Sequence, residues 1–192
     1  MKAIPILVAL PALCTCLSPS LAADAAVVSV KDGVWEYRHP ALTVRLTPRT
    51  PDQMAAFYEA RGFPASMVDL TRTACFITVG IRNKSDRVIW LDLDQWRFTG
   101  PEGAIVRIDR QWWKDRWRDM DAPLPGQSTF RWTLLPEALD FRPGEREGGN
   151  ITLPRAQAPL RLQARFDTGA DRDGETVEMI VENLRCAEDS PP

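Results

Sequence analysis

The chain has 192 residues, with 24 basic and 26 acidic side chains, a formal net charge of −2 and a single histidine. That balance leaves no basic footprint for nucleic acid or an anionic membrane surface. One histidine excludes a histidine-rich metal centre and would put any Ser/His/Asp or Cys/His device on His39, while GxSxG, HExxH and phosphate-loop motifs are all missing.

Residues 1–22 read as a secretory signal peptide. Lys2 supplies a positive start, residues 4–17 are almost entirely apolar, and Ser18, Pro19, Ser20, Leu21 and Ala22 bring small residues to a cleavage site after Ala22 or Ala23. The apolar run falls short of the roughly 20 residues a membrane span needs, and Pro5 and Pro11 interrupt it. Cys14 and Cys16 lie inside this leader. A lipobox needs a small residue directly before the modified cysteine and Leu three before it. Cys16 has Leu13 in place but Cys14 and Thr15 between, and Cys14 follows Leu13 directly. A cleaved protein without a lipid anchor at Cys16 is therefore expected. Residues 23–192 then form one domain by length. The compact leader and the excess of Arg over Lys point to a bacterium, and the destination to its periplasm or the extracellular space. In that oxidising compartment the two remaining cysteines, Cys75 and Cys186, are expected to pair.

After the leader, residues 25–30 predict a strand, Asp32-Gly33 a turn, and residues 34–37 and 42–46 two more strands. Thr50-Pro51-Asp52-Gln53 combines a cap, a proline suited to the first helical turn and a capping-box glutamine. A helix over 51–61 follows, with Met54, Phe57 and Tyr58 as its apolar stripe and Gly62 as its stop. Residues 65–71 predict a second short helix. Cys75, Ile77, Val79 and Ile81 then alternate with Phe76, Thr78, Gly80 and Arg82, the pattern of a strand with one buried face. Asn83-Lys84-Ser85-Asp86 reads as a turn, and residues 88–93 and 96–98 as further strands. Together these predict a hairpin or meander at the centre of the fold.

Residues 104–108 predict another strand. Between 109 and 121, Trp113, Trp117 and Met120 match a helical i, i+4, i+7 stripe. Pro123 and Pro125 predict a loop. Residues 128–135 predict a strand with Phe130, Trp132 and Leu134 on one face, and the Gly-rich stretch 142–150 a long turn. A short strand at 151–153, a strongly alternating one at 160–166, a Gly/Asp loop at 167–174 and a final strand over 175–185 complete the chain. Seven to nine short strands argue a β-sandwich with a short helical insertion near the N-terminal third. The arrangement resembles secreted immunoglobulin-like modules in architecture, a likeness that implies fold and not activity.

Candidate chemistry is sparse. His39 sits in a turn and is expected to face solvent. Asp92 and Asp94, with Asp109 across a sheet, could form an acid–base pair, but i, i+2 acids are the ordinary result of polar-out alternation. Asp167, Asp171, Asp173, Glu175 and Glu178 approach EF-hand spacing. Gly169 and Arg172 break the pattern, so a solvated acidic loop without metal is expected. The most suggestive group is Trp112, Trp113 and Trp117 beside Arg116. Either Trp113 and Trp117 plug one end of the sandwich, or the group forms an exposed platform for a sugar ring or a partner. The resulting expectation is a non-catalytic exported module, without cofactor, that binds or supports an envelope protein. A glycan-binding module using the tryptophans is the alternative, and a carboxylate enzyme the weakest reading.

Overall fold

The computed structural model describes residues 27–189, so the signal-peptide assignment to residues 1–22 and the lipobox question at Cys16 lie outside the described residues. The chain opens with β1 (Val27–Lys31), β2 (Val34–Arg38) and β3 (Leu42–Arg49). Two helices, α1 (Pro51–Glu59) and α2 (Ala65–Arg72), precede β4 (Ala74–Asn83). β5 (Ile89–Asp92), a single 3₁₀ turn at Leu93–Gln95, β6 (Arg97–Gly100) and β7 (Gly103–Ile105) follow. Then come α3 (Arg110–Asp119), α4 (Leu124–Thr133), β8 (Ala138–Phe141), β9 (Arg146–Pro154), β10 (Leu160–Thr168) and β11 (Val177–Leu184).

The described strands form two antiparallel sheets. The first has the order β1-β2-β3-β4-β9. Its opening hairpin turns on Asp32 and Gly33, both at positive φ (51° and 72°), the backbone that a two-residue turn between twisted strands requires. The second sheet is built around β10, whose one edge pairs with β11 while the other is shared between β6 and β5. β7 and β8 extend β6 and β5. β10 shows the expected alternation, with Leu160, Leu162, Ala164 and Phe166 buried and the residues between them turned outward.

β4 separates two cores. Cys75, Ile77, Val79 and Ile81 face the core between the sheets, together with Leu153 of β9 and Leu162, Phe166 and Met179 of the second sheet. On the opposite face, Ala74 and Phe76 are buried by the four helices, which lie on the outside of the first sheet. Met54, Tyr58, Phe63, Met67, Trp113, Trp117 and Phe130 complete that second core. The alternation along β4 is thus correct, but its second face is covered at one end. α1 carries the full capping box: Thr50 Oγ1 accepts the Gln53 N–H and Gln53 Oε1 accepts the Thr50 N–H, both at 3.2 Å.

Four expectations need correction. β4 and β5 do not form a hairpin, because β4 pairs with β3 and β9 while β5 pairs with β8 and β10. Residues 83–87 instead carry the chain from one sheet to the other. Buried Asn83 secures this crossover: its Nδ2 donates to the carbonyls of Arg87 (2.6 Å) and Phe141 (2.9 Å), and its Oδ1 accepts from the Ser85 N–H and hydroxyl. An unpaired amide there would cost about 1–3 kcal/mol, so full satisfaction makes the buried Asn tenable.

Residues 128–135 are not a strand, since α4 runs to Thr133. Phe130 and Leu134, spaced i, i+4, are buried in the helical layer, whereas Trp132 is 78% exposed. Spacing by two and spacing by four coincide for the outer pair, so only Trp132 distinguishes strand from helix. Pro125, read as a loop former, stands in the first helical turn, where its missing N–H is harmless. The Gly-rich stretch 146–150 is likewise not a turn but the first half of β9. Its glycines permit close approach: a Cβ on Gly149 would lie 2.4 Å from the Leu135 nitrogen.

The disulfide joins the two sheets. Cys75 and Cys186 are bonded as expected, with Cα atoms 5.5 Å apart across a separation of 111 residues. The bridge ties β4 of the first sheet to the chain just past β11 of the second. Its parity is set by a bulge. Leu160 faces Leu184 but Leu162 faces Val181, and Asn183 takes up the extra residue at φ 57°. Val177, Met179 and Val181 point inward before the bulge, Leu184 and Cys186 after it.

Candidate functional site

The helical layer carries the sequence-predicted site residues and separates them. α3 begins where Asp109 Oδ1 accepts the Trp112 N–H at 2.7 Å. One turn apart, Trp113 and Trp117 are 1% and 2% exposed and stack with ring centres 5.2 Å apart. Trp113 Nε1 donates to Thr152 Oγ1 of β9 at 2.9 Å, and that hydroxyl donates on to the Ile108 carbonyl at 2.7 Å. Trp113 is therefore pinned to the first sheet. Trp112 is half-buried, edge-on to Trp113, with the exposed Arg116 guanidinium 5.2 Å from its ring centre. The three tryptophans thus plug the helical layer and present no common exposed face.

Two concavities flank α4 instead. Between α3 and α4 lies a cleft of about 440 Å³. Trp113, Trp117, Phe130 and Leu134 make its apolar wall, while Arg110, Lys114 and Arg131 bring positive charge. Two donors in the lining residues are buried without a partner, Trp117 Nε1 and Arg110 Nε. Arg110 is held by one bond, from its Nη2 to the Leu134 carbonyl at 2.7 Å. Burial lowers its pKa, with Arg131 and Arg107 acting in the same direction against the opposing Glu137 carboxylate.

The second concavity, about 600 Å³, lies beside Trp132 and is lined by Arg49, Gln53, Met54, Phe57, Thr78 and Asn150 among others. Its floor is a chain of polar contacts: Arg49 Nε donates to Thr78 Oγ1 at 2.9 Å, and that hydroxyl donates to Asn150 Oδ1 at 2.8 Å. Nearby, the Thr133 hydroxyl donates to the Phe130 carbonyl at 2.7 Å and so receives the Tyr58 hydroxyl proton at 2.8 Å. Burial pushes the Tyr58 pKa well up, so this phenol stays neutral.

The carboxylates are engaged in local structure. Asp92 ends β5 and accepts the Asp94 N–H at 3.0 Å, capping the 3₁₀ turn that contains Asp94. The two therefore do not share a strand face, and Asp109 serves as the α3 cap. His39 is half-buried, not solvent-facing as its turn position suggests, and its Nδ1 accepts the Ala41 N–H at 3.1 Å. Near the end of β10, Asp167 pairs with Arg165 and accepts from Gln95. Among the described residues no three His, Cys, Asp or Glu side chains are grouped to hold a metal ion. Nor is any described helix long and apolar enough to cross a membrane.

Sequence reading missed Trp132 as an exposed residue, together with the cationic set Arg110, Lys114 and Arg131. The proline in the first turn of α4 was the one local signal that could have exposed both, by making residues 124–133 a helix.

No family model matches the chain, and no curated protein matches it in sequence. Two solved structures are similar in outline. One is the ycdA protein of Bacillus subtilis, 8% identical with a TM-score of 0.42, over 77% of this chain and 38% of that one. The other is the yjhA protein of Bacillus subtilis, 12% identical with a TM-score of 0.38, over 57% of this chain and 73% of that one. This chain thus spans well under half the length of the ycdA protein, and neither likeness bears on activity.

Proposed function

We propose that this chain is an exported, non-catalytic module, immunoglobulin-like in its arrangement of sheets, that binds a protein partner in the bacterial envelope through the outer face of α4. The disulfide between the sheets supports export to the periplasm or beyond, since such bonds persist in oxidising compartments. The capping roles of Asp92 and Asp109 support a non-catalytic reading, because both carboxylates already serve the backbone.

One observation carries the proposal. Trp132 is 78% exposed and Leu124, at the start of α4, is 76% exposed. Arg131 lies with its guanidinium 5.6 Å from the Trp132 ring centre. Trp and Arg dominate the binding energy of protein interfaces, and a large indole left in water is a standing source of apolar area to bury. The test is affinity capture from envelope extract with the wild type and with the Trp132→Ala/Leu124→Ser variant, after confirming equal melting temperatures. The wild type should retain a defined partner that the variant loses at least about tenfold, as expected for a tryptophan worth 2 kcal/mol or more. Equal retention by both proteins would reject the α4 face.

A second reading has its own observation. Trp132 borders the hollow whose floor holds Arg49, Thr78 and Asn150, an aromatic ring beside hydrogen-bonding groups that suits a sugar. A glycan-binding module would retain an envelope polysaccharide, and Asn150→Ala as well as Trp132→Ala would release it.

A further inference from the structure

We infer that the cleft between α3 and α4 binds a small single-chain amphiphile with one carboxylate, its apolar body against Trp113, Trp117, Phe130 and Leu134 and its charge among Arg110, Lys114 and Arg131. The cleft shares Leu124 and Arg131 with the proposed partner face, but the inference does not rest on that reading, because Arg110, Lys114 and Trp117 take no part in it.

The cleft's volume of about 440 Å³ falls within the range of small-molecule sites, roughly 300–1,000 Å³. Its composition is one-sided: the charged lining residues are Arg110, Lys114 and Arg131, with no carboxylate in the lining. The nearby acids are already committed. Glu137 accepts both guanidinium nitrogens of Arg107 and the Arg110 backbone N–H, and Asp115 accepts from Gln111 and pairs with Arg118. None of the three cations forms an ion pair among the described residues. Arg110 and Arg131 are close enough to repel, a cost that an entering anion would relieve.

The donors point to the same chemistry. Trp117 is 98% buried, its Nε1 has no acceptor, and the Arg110 Nε is in the same state. A buried donor without a partner is a standing cost, so these two lining residues hold unmet demand for an acceptor oxygen. A free inorganic anion would answer the charge and leave the apolar side of the cleft, where Leu124 is 76% exposed, uncovered. A neutral hydrocarbon would cover the wall and leave the cations and donors unpaired. An apolar chain ending in a carboxylate answers both, with the oxygens accepting from Arg110 and Lys114.

Sodium decanoate below its micelle concentration is the probe, followed by calorimetry and by the tryptophan indole N–H signals in ¹⁵N-resolved NMR. Decanol, inorganic phosphate and vesicles of anionic phospholipid serve as comparisons. Saturable binding of decanoate, at least tenfold tighter than decanol, with a downfield shift of the Trp117 indole proton, is expected. Lys114→Gln/Arg131→Gln alters two exposed side chains, should melt like wild type, and should weaken decanoate about tenfold, or about 1.4 kcal/mol. Equal affinity for decanol, unchanged affinity in the double variant, phosphate binding as tightly as decanoate, or binding to vesicles but not to monomeric decanoate would each overturn the inference.

Discussion

Replacing Trp113 tests whether the tryptophan group is structural. The side chain is 1% exposed, contacts Phe76, Trp112, Trp117 and Phe130 with ring centres 4.7–6.0 Å away, and donates one buried hydrogen bond to Thr152. An aromatic side chain burying about 150–250 Å², at about 25 cal/mol per Å², gains roughly 4–6 kcal/mol as an upper bound. Observed losses on truncating a buried large aromatic are about 3–5 kcal/mol, the range expected for Trp113→Ala. Trp113→Phe keeps much of the ring packing but loses the N–H donor and some volume, so about 1–2 kcal/mol is expected. Thr152 keeps its bond to Ile108 in either variant, so no buried hydroxyl proton is orphaned. Half-buried Trp112→Ala should fall at about 1 kcal/mol or less. Urea unfolding followed by far-UV circular dichroism ranks the three without depending on indole emission. For a chain of this length Trp113→Ala should lower the melting temperature by roughly 6–20 °C. If Trp113→Ala melts like wild type, or Trp112→Ala loses as much, the layer is not held by the residues assigned to it.

Gly149→Ala should destabilise at the upper end of the about 1–3 kcal/mol seen for overpacking, because its Cβ would meet backbone atoms of Leu134 and Leu135 at 2.4–2.8 Å. Gly80→Ala, with open space at the same point, should be near neutral, and a reversed order in urea titrations would contradict the close approach. Thiol titration of the denatured, unreduced protein should find Cys75 and Cys186 unreactive, and two free thiols would refute the pairing. Removing the bridge with Cys75→Ala/Cys186→Ala should cost up to about 4.7 kcal/mol, the chain-entropy value for a loop of about 100 residues. Burial holds the His39 pKa below its usual 6.5, with Glu175 opposing and Lys84 reinforcing. Because the folded value lies below the unfolded one, the stability that His39 contributes is present above about pH 6.5 and is lost as pH falls through the folded pKa. The imidazole Cε1 proton reads this directly, and a titration midpoint at or above 6.5 would refute it.

Much of the strand inventory was legible because a strand with one buried face leaves a period-two record. β10, β4 and β11 carry that record, and the capping box announced α1 just as plainly. The parity mismatch between Val181 and Cys186 was legible too, as either a bulge near Asn183 or a bridge beyond the sheet's end, and the structure has the bulge, with Cys186 past the end of β11. The stripe of Trp113 and Trp117 was legible as helical, but not what it packs against. The candidate site was scarcely readable: Trp132 looked inward on a strand pattern, and Arg110, Lys114 and Arg131 are scattered over more than twenty residues.

Alone, then, the sequence determined which residues alternate, where α1 starts, which activities lack their residues, and which two cysteines remain to pair. Each of these depends on neighbours within a few positions or on a count. The tertiary structure decided that β4 and β5 belong to different sheets, that Phe76 faces a second core, and that α4 separates two concavities. Those outcomes depend on what covers each face from afar. Phe76 packs against Phe130, 54 positions away (130 − 76), and a period-two pattern records that a face is apolar without recording what closes over it.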